Sequence, residues 1–210
     1  MPRFSIVPLF VLLALAGCVR SREVVAPRDA EQPSDAWRTL IATEDRARLR
    51  HWRQTWLDAL AAARPGNEAA IAGEGSLLDP DAAQAGAALP PGDYRCRTIK
   101  LGSQNATPSP FRVFAPQACR VADEGGRLHF SVQDGPQRPL GTLFPDNTRR
   151  MIFLGTLQLG DEALAYRYGR DRERDMLGIL ERIGEGRWRL VFPAPHFESQ
   201  LDVVEILPAP

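Results

Sequence analysis

The sequence lacks the patterns that identify many enzymes and nucleic-acid-binding proteins. Its 26 basic and 26 acidic residues balance, so there is no basic excess for nucleic acid. The three histidines (His51, His129 and His196) have neither HxxxH spacing nor a cysteine partner, which argues against a zinc site. No GxGxxG follows a strand to open a helix, and no GK[ST] occurs. We therefore predict no nucleic acid partner, no metal and no cofactor.

Long apolar runs are also missing, apart from one at the N-terminus. Arg3 precedes an apolar stretch from Phe4 to Ala16, which is too short for a membrane-spanning helix and is typical of a signal peptide over residues 1–17. The stretch ends in "LAGC", Leu15 to Cys18, which is similar to a bacterial lipobox. In such proteins the cysteine thiol receives a diacylglyceryl group, and cleavage before the cysteine leaves a lipidated N-terminus.

We therefore predict that Cys18 is lipidated and that residues 18–36, which are polar and lack apolar periodicity, form a flexible tether. Val19 stands where an aspartate would resemble an inner-membrane retention signal, so we expect anchoring in the outer membrane, facing the periplasm. Two alternatives are an ordinary signal peptide cleaved near Ala16 and a buried structural cysteine.

Two cysteines remain once Cys18 is set aside. In the oxidising periplasm, Cys96 and Cys119 are expected to form a disulfide, which would stabilise the fold by roughly 3 kcal/mol. The alternative is a catalytic or metal-binding thiol. That alternative needs a CxxC motif or a nearby histidine, and neither cysteine has one.

The pattern of residues 37–88 predicts helices. Thr43 is placed to cap a helix from Glu44 to Ala63, and apolar residues recur in it at spacings of three and four. That stripe consists of Leu49, Trp52, Trp56, Leu60 and Ala63. Asn67 could cap a second short helix, Glu68 to Ala72, and Asp79 followed by Pro80 suggests a third.

Residues 89–210 change to a period of two, which is typical of strands. The clearest segments are Tyr94–Leu101, Leu128–Val132, Met151–Leu159, Leu177–Ile183, Arg187–Phe192 and Leu201–Leu207. "GEG" at Gly184 to Gly186 indicates a hairpin, and Met151–Leu159, apolar on both faces, indicates a central strand. About eight short strands joined by hairpins tend to curl into a barrel or sandwich. We predict an α+β fold, an N-terminal helical segment followed by an antiparallel β-barrel-like domain.

Several blocks of the sequence resemble one uncharacterised family of bacterial envelope proteins, domain of unknown function family 4893. These blocks are "GSLLDPDAA" (75–83), "GDYRCRTIKLG" (92–102), "RRMIFLGTLQLGDE" (149–162), "YGRDRERDMLGILERIG" (168–184) and "RWRLVFPAPHFESQLDVVEIL" (187–207). The resemblance implies a shared fold and an envelope location. It implies no activity, and no catalytic residues can be carried over from it.

The densest polar block is Arg167 to Asp175, "RYGRDRERD". Its Arg170, Arg172 and Arg174 could bind an anionic envelope component or partner, because the planar guanidinium binds carboxylates and phosphates in a bidentate way. The alternative is a solvated loop whose opposite charges pair with one another. The outcome depends on whether Arg170 and Arg174 pair inside the fold or point outward together.

No catalytic constellation can be assembled from the sequence. Asp161 and Glu162 are adjacent and are expected to cap a turn, because neighbouring strand residues point to opposite faces. "HFES" holds a histidine, an acid and a serine, but there is no GxSxG elbow. We name no catalytic residue.

The sequence therefore leaves two functions open. The first is a non-enzymatic lipoprotein, a binding or envelope-maintenance module whose partners are the membrane, through its lipid, and an envelope protein or glycan. The second is a peptidoglycan or glycan hydrolase that uses paired carboxylates. It would need two acids facing one pocket about 5–10 Å apart. Its candidates are Asp161, Glu162, Asp171, Asp175, Glu181 and Glu198.

Overall fold

The computed structural model describes Met1, residues 36–105 and residues 109–210. The chain divides into two compact units, Met1–Gln32 and Pro33–Pro210, and all of the described helices and strands belong to the second. The predicted signal peptide (1–17), the lipidated Cys18 and the tether (18–36) lie outside the described residues, except for Met1 and Ala36.

Three α-helices precede the sheet in the described part of the chain: α1 (Ala36–Leu40), α2 (Thr43–Ala63) and α3 (Glu68–Gly73), with a 3-10 turn at Gly75–Leu77. The long helix and its apolar stripe are confirmed, since Trp56, Leu60 and Ala63 are buried. The capping role predicted for Thr43 is wrong. Ala42 is the residue before the helix, and its backbone N–H is satisfied by the hydroxyl of Tyr168, at 3.0 Å.

Two further details of the helical segment differ from prediction. The side chain of Asn67 does not cap α3 but donates to the carbonyl of Ala63 at 2.9 Å. The third short helix after Asp79 is also absent from the described residues: the Asp79 carboxylate instead accepts the backbone N–H of Asp81 at 2.9 Å and closes a turn.

Nine strands follow among the described residues. They are β1 (Gly92–Leu101), β2 (Phe111–Val113), β3 (Gln117–Asp123), β4 (Leu128–Val132), β5 (Gln137–Asn147), β6 (Arg150–Leu159), β7 (Asp175–Gly184), β8 (Arg187–Pro193) and β9 (Leu201–Pro208). The six strands predicted from the sequence are confirmed, as is the hairpin at Gly184 to Gly186.

The strands form one antiparallel sheet that closes into a barrel. From β3 to β9 each strand pairs with the next, and β9 pairs with β1 along eight residues from Tyr94 to Leu101, which closes the circle. On its other edge β1 has two partners in turn: β3 pairs with it from Gly92 to Cys96, and the short β2 from Ile99 to Leu101. The barrel therefore has eight strands, with β2 as an extra piece beside β1, and the predicted fold class is confirmed.

Side chains alternate between the inside and the outside of the barrel. On β1, Tyr94 and Cys96 belong to the interior cluster, and Ile99 and Leu101 to the outer one. The helices cover the outside: α2 and α3 pack on β1, β8 and β9, and α1 packs on β6 and β7. This covering explains why Met151–Leu159 is apolar on both faces. None of the described helices is both long enough and apolar enough to cross a membrane.

The disulfide between Cys96 and Cys119 is confirmed. The two Cα atoms are 6.0 Å apart, on the paired strands β1 and β3, and both side chains lie in the interior cluster of the barrel. The bond therefore links β1 covalently to β3, its neighbour in the barrel.

Candidate functional site

One end of the barrel is filled by its own side chains. We call it the closed end; it is the end at which β1 begins and β9 finishes. Tyr94 and Trp188 meet edge to face there, with ring centroids 6.3 Å apart, and Leu89 is buried in the same cluster. The Tyr94 hydroxyl donates to the carbonyl of Pro90 at 2.6 Å, which holds the incoming chain across this end. The opposite end, where β1 finishes and β9 begins, is the open end.

The interior of the open end is polar and is organised by Lys100, the only lysine of the sequence. Lys100 lies six residues after Tyr94 on β1, so its side chain also points into the barrel. It is only 4% exposed. Its ammonium group donates to the amide oxygen of Gln137 at 3.0 Å and forms ion pairs with Glu198 at 2.9 Å and Asp202 at 3.5 Å. A buried lysine persists only with such partners.

Glu198 also binds Arg112 of β2, whose Nη2 lies 2.9 Å from the same carboxylate oxygen. Glu198 has a backbone φ of 68° and Ala194 one of 47°, both in the left-handed region that residues other than glycine rarely adopt. Each such residue costs about 1–3 kcal/mol. The strained loop is held by Gln104, whose side-chain amide donates to the carbonyls of Pro195 and Ser199 at 2.6 and 2.7 Å.

The two carboxylates on Lys100 differ in protonation behaviour. Lys100 lowers the pKa of Glu198, and Arg112 adds to this effect. Burial raises the pKa of Asp202, against the opposing influence of Lys100, and the hydroxyl of Ser199 donates to its carboxylate. The Ser199 hydroxyl thus forms its hydrogen bond with Asp202 and not with His196 of the same "HFES" segment.

A cavity of about 430 Å³ opens beside this cluster. It exists because the wall is interrupted: residues 114–116, which include Pro116, form no strand between β2 and β3, and β4 ends at Val132. A gap is therefore left between β2 and the start of β5. The cavity is lined by Thr98, Lys100, Arg112, Phe114, Ala115, Gln117, Pro136, Gln137 and Glu198. Its volume lies within the range of about 300–1,000 Å³ that is usual for small-molecule sites.

A smaller cavity of about 50 Å³ adjoins the first and shares Thr98, Lys100 and Gln137 with it. It lies toward β7 and the loop after β8, where Asp175, His196 and Asp202 also line it. This space has room for a few water molecules and is well below the roughly 300–1,000 Å³ that is usual for a small-molecule site.

Beside the smaller cavity, a chain of hydrogen bonds links α2 to two loops. Tyr168 donates to the Asp45 carboxylate at 2.5 Å, and Arg48 donates to Asp45 at 2.8 Å and to Nε2 of His196 at 2.8 Å. Burial raises the pKa of Tyr168, and burial followed by the charge of Arg48 lowers that of His196. His196 is therefore a neutral acceptor that ties the β8–β9 loop to the helix.

The three arginines singled out from the sequence do not converge. Arg174 lies 3.2 Å from the carboxylate of Glu162 and is about one-fifth exposed. Arg172 is exposed and lies 3.4 Å from Glu44, and Arg170 is exposed in the loop. The anion- or partner-binding role of these residues stays a prediction.

The acids that were considered for hydrolysis are scattered. Glu198 lines the larger cavity and Asp175 the smaller one, while Glu181 is buried on the outer wall against Arg189. Glu162 accepts the backbone N–H of Leu159 at 2.7 Å, which confirms its turn-capping role. Within the described ranges 36–105 and 109–210, no three His, Cys, Asp or Glu side chains form a group that could hold a metal ion.

Sequence reasoning did not single out Lys100, Arg112, Gln137 or Asp202. One signal could have found Lys100: the only lysine among many arginines follows Tyr94 and Cys96 at even spacing, which places it on the inner face of a barrel strand. The others come together only through strand pairing and the loop after β8.

Comparison with known proteins gives one match. The family model described as a domain of unknown function (DUF4893) matches residues 37–206, which is nearly all of the helical segment and the barrel. No curated protein and no solved structure matches the chain.

Proposed function

The chain belongs to the DUF4893 family, and because that family has no established activity, we propose a function from the geometry of this protein. It is a non-enzymatic binding module of the bacterial envelope that takes an envelope component into the open end of its barrel. In this proposal Cys18 carries the lipid, residues 18–36 are the tether, and the domain is held at the periplasmic face of the outer membrane.

One observation carries the proposal. A cavity of about 430 Å³ opens at one end of the barrel, and its walls carry charged and amide side chains whose positions are already set. Lys100 is held by Gln137 and Glu198, so that the polar groups are preorganised before any ligand arrives. Small-molecule sites are usually partly apolar clefts that contain a few polar groups already held in position.

A glycan hydrolase using paired carboxylates is supported less well. The two acids with oppositely shifted pKa values, Glu198 and Asp202, share an ammonium group but line different cavities. Asp175 and Asp202 do share a cavity, but its volume of about 50 Å³ is far below the roughly 300–1,000 Å³ of the usual small-molecule site. The arrangement therefore favours binding over hydrolysis.

The test blocks the cavity with a tryptophan. Ala115 is exposed and lines the cavity, whereas Ala118, three residues along and also exposed, lies on β3 and outside the cavity lining. Full-length wild-type protein, Ala115→Trp and Ala118→Trp are purified in detergent, immobilised and incubated with envelope extract. We expect wild type and Ala118→Trp to retain the same material and Ala115→Trp to lose it. Equal retention by all three would refute binding at the open end.

A further inference from the structure

The larger cavity at the open end is amphipathic. Phe114, Ala115 and Pro136 form an apolar part, whereas Arg112, Gln117 and Glu198 contribute polar groups. A wholly apolar ligand would displace the water around these polar groups without offering them hydrogen bonds in return. The ligand that fits has one apolar face and a polar edge.

The charges of the cavity balance one another. Glu198 binds both Lys100 and Arg112, and Asp202 supplies a second carboxylate behind Lys100. A phosphate or carboxylate entering the cavity would meet the negative charge of Glu198, and a cation would meet Lys100 and Arg112. An uncharged ligand avoids both penalties and can use the same groups as hydrogen-bond donors and acceptors.

Hydrogen-bonding capacity remains at this site. The guanidinium of Arg112, which lines the cavity, contacts Glu198 through Nη2 alone among the described residues. Gln137 uses its amide oxygen for Lys100, and Gln117 uses its amide nitrogen for the carbonyl of Asp134. Planar guanidinium, carboxylate and amide groups can each make two parallel hydrogen bonds, a geometry suited to neighbouring hydroxyls on a ring.

Phe114 completes the arrangement. The residue is 39% exposed and lines the cavity, and the guanidinium carbon of Arg112 lies 5.5 Å from the ring centroid. We propose that this cavity is a binding subsite for an uncharged sugar unit of an oligosaccharide: Phe114 packs against the C–H face of the sugar ring, while Arg112 and Glu198 hydrogen-bond its hydroxyls. The inference rests on the proposed function and names the chemistry of its ligand.

The experiment measures the affinity of the full-length protein, in detergent, for a panel of uncharged tetrasaccharides. The panel contains glucose, galactose, mannose and N-acetylglucosamine oligomers, with inorganic phosphate as a charged comparison. We expect at least one oligosaccharide to bind the wild type. Phe114→Ala should weaken that binding about tenfold, which is the size of a good aromatic contact, and Phe114→Trp should retain it. Val113→Ala is the matched control, because Val113 is the preceding residue, is 46% exposed and lies outside the cavity lining.

Three outcomes would overturn the inference: no oligosaccharide binds, phosphate binds in preference to all of them, or Phe114→Ala binds as well as Val113→Ala. The proposed function can be tested separately from the identity of the ligand. If no sugar binds but Ala115→Trp still loses the envelope material that wild type retains, binding at the open end stands and only the identity of the ligand is wrong.

Discussion

Arg189 of β8 and Glu181 of β7 form an ion pair on the outer face of the barrel, under the helices, with side chains 0% and 5% exposed. Two guanidinium nitrogens of Arg189 lie 2.7 and 2.9 Å from one oxygen of Glu181, and the guanidinium carbon is 4.5 Å from the centroid of the Trp56 ring. Arg189 also donates to the carbonyls of Ser76 and Leu77, at 3.0 and 3.2 Å. A single side chain thus joins β8 to α2 and to the turn that follows the helices.

Breaking this pair should destabilise the protein strongly. Burial raises the pKa of Glu181 and lowers that of Arg189, so each charge is held in place mainly by the other. Arg189→Met leaves the carboxylate and several carbonyls unpaired, and we expect a loss of about 3–5 kcal/mol in the free energy of unfolding. Urea unfolding followed by circular dichroism measures it. Arg53→Met, which removes the exposed ion pair with Asp81, should change the stability far less, because water screens an exposed pair.

The double variant Glu181→Leu with Arg189→Met separates the ion pair from the rest of the contacts. It removes the stranded carboxylate, so we expect it to be more stable than Arg189→Met alone, though below wild type because the carbonyls remain unpaired. If the double variant is as unstable as the sum of the two single variants, the charges are not coupled and the interpretation is wrong.

A second prediction concerns two glycines that face each other across β5 and β6. Gly141 and Gly155 are paired in register, and the ring of Phe153 lies over both. A Cβ on Gly155 would collide with the carbonyl oxygen of Leu140 as well as with the ring, so the backbone itself would have to move. Gly155→Ala should lower the free energy of unfolding by about 1–3 kcal/mol.

Thermal unfolding measures the change. Gly73→Ala is the matched control: a Cβ there meets nothing within 4 Å and the backbone is in an ordinary conformation, so this variant should be neutral or slightly more stable. Equal melting temperatures for Gly155→Ala and Gly73→Ala would show that the close approach does not constrain the barrel.

Six strands with clear apolar patterns were predictable from the sequence, whereas β2, β3 and β5 were not among the predicted segments. β5 was missed because Pro139, Gly141 and Pro145 fall within it. In the barrel the strand nevertheless pairs with β6 along its length, with one shift of register between Pro145 and Asn147. Pairing with two neighbours overrides the local preference of such residues.

The polar interior of the open end was harder to predict, because its members come from distant parts of the chain. Lys100 meets Gln137 and Glu198 only after β1, β5 and the loop after β8 have been placed in the same barrel. The same reason explains the failed cap at Thr43: the group that satisfies the helix start is Tyr168, on another loop. Local sequence patterns predict helices and strands well, but they do not predict which side chains from distant parts of the chain come into contact.

A third prediction tests the membrane anchor. If Cys18 carries the lipid, Cys18→Ser should abolish labelling by a clickable fatty acid and should move the protein from the membrane fraction to the soluble fraction, because a lipid anchor depends on buried acyl chains. The matched control is the double variant Cys96→Ala with Cys119→Ala, which removes the other two cysteines but leaves Cys18 unchanged. It should still be labelled. Continued labelling of Cys18→Ser would assign the lipid to another site and reject the lipobox interpretation.

The last prediction is that Glu198 makes the stability of the open end depend on pH. It faces Lys100 on β1, Arg112 on β2 and Asp202 on β9. Lys100 lowers its pKa below the ordinary value of 4.5. Because the folded pKa is the lower one, its ion pairs contribute stability that is present above about pH 4.5 and is lost as the pH falls through the folded pKa. Burial raises the pKa of Asp202, which acts in the opposite direction in wild type and variant alike.

Glu198→Gln should therefore be less stable than wild type at neutral pH and should approach it at acid pH. The Glu198 side chain is 40% exposed, so solvent screening should keep the difference in unfolding free energy below about 1 kcal/mol. The corresponding upper limit on the difference in melting temperature is about 2–4 °C. Melting curves of the two proteins between about pH 3 and pH 7 measure it. Glu185→Gln, an exposed acid in the turn between β7 and β8 at the closed end, should follow wild type throughout. A wild-type advantage that stays constant or grows as the pH falls would show that the ionised carboxylate of Glu198 does not stabilise the open end.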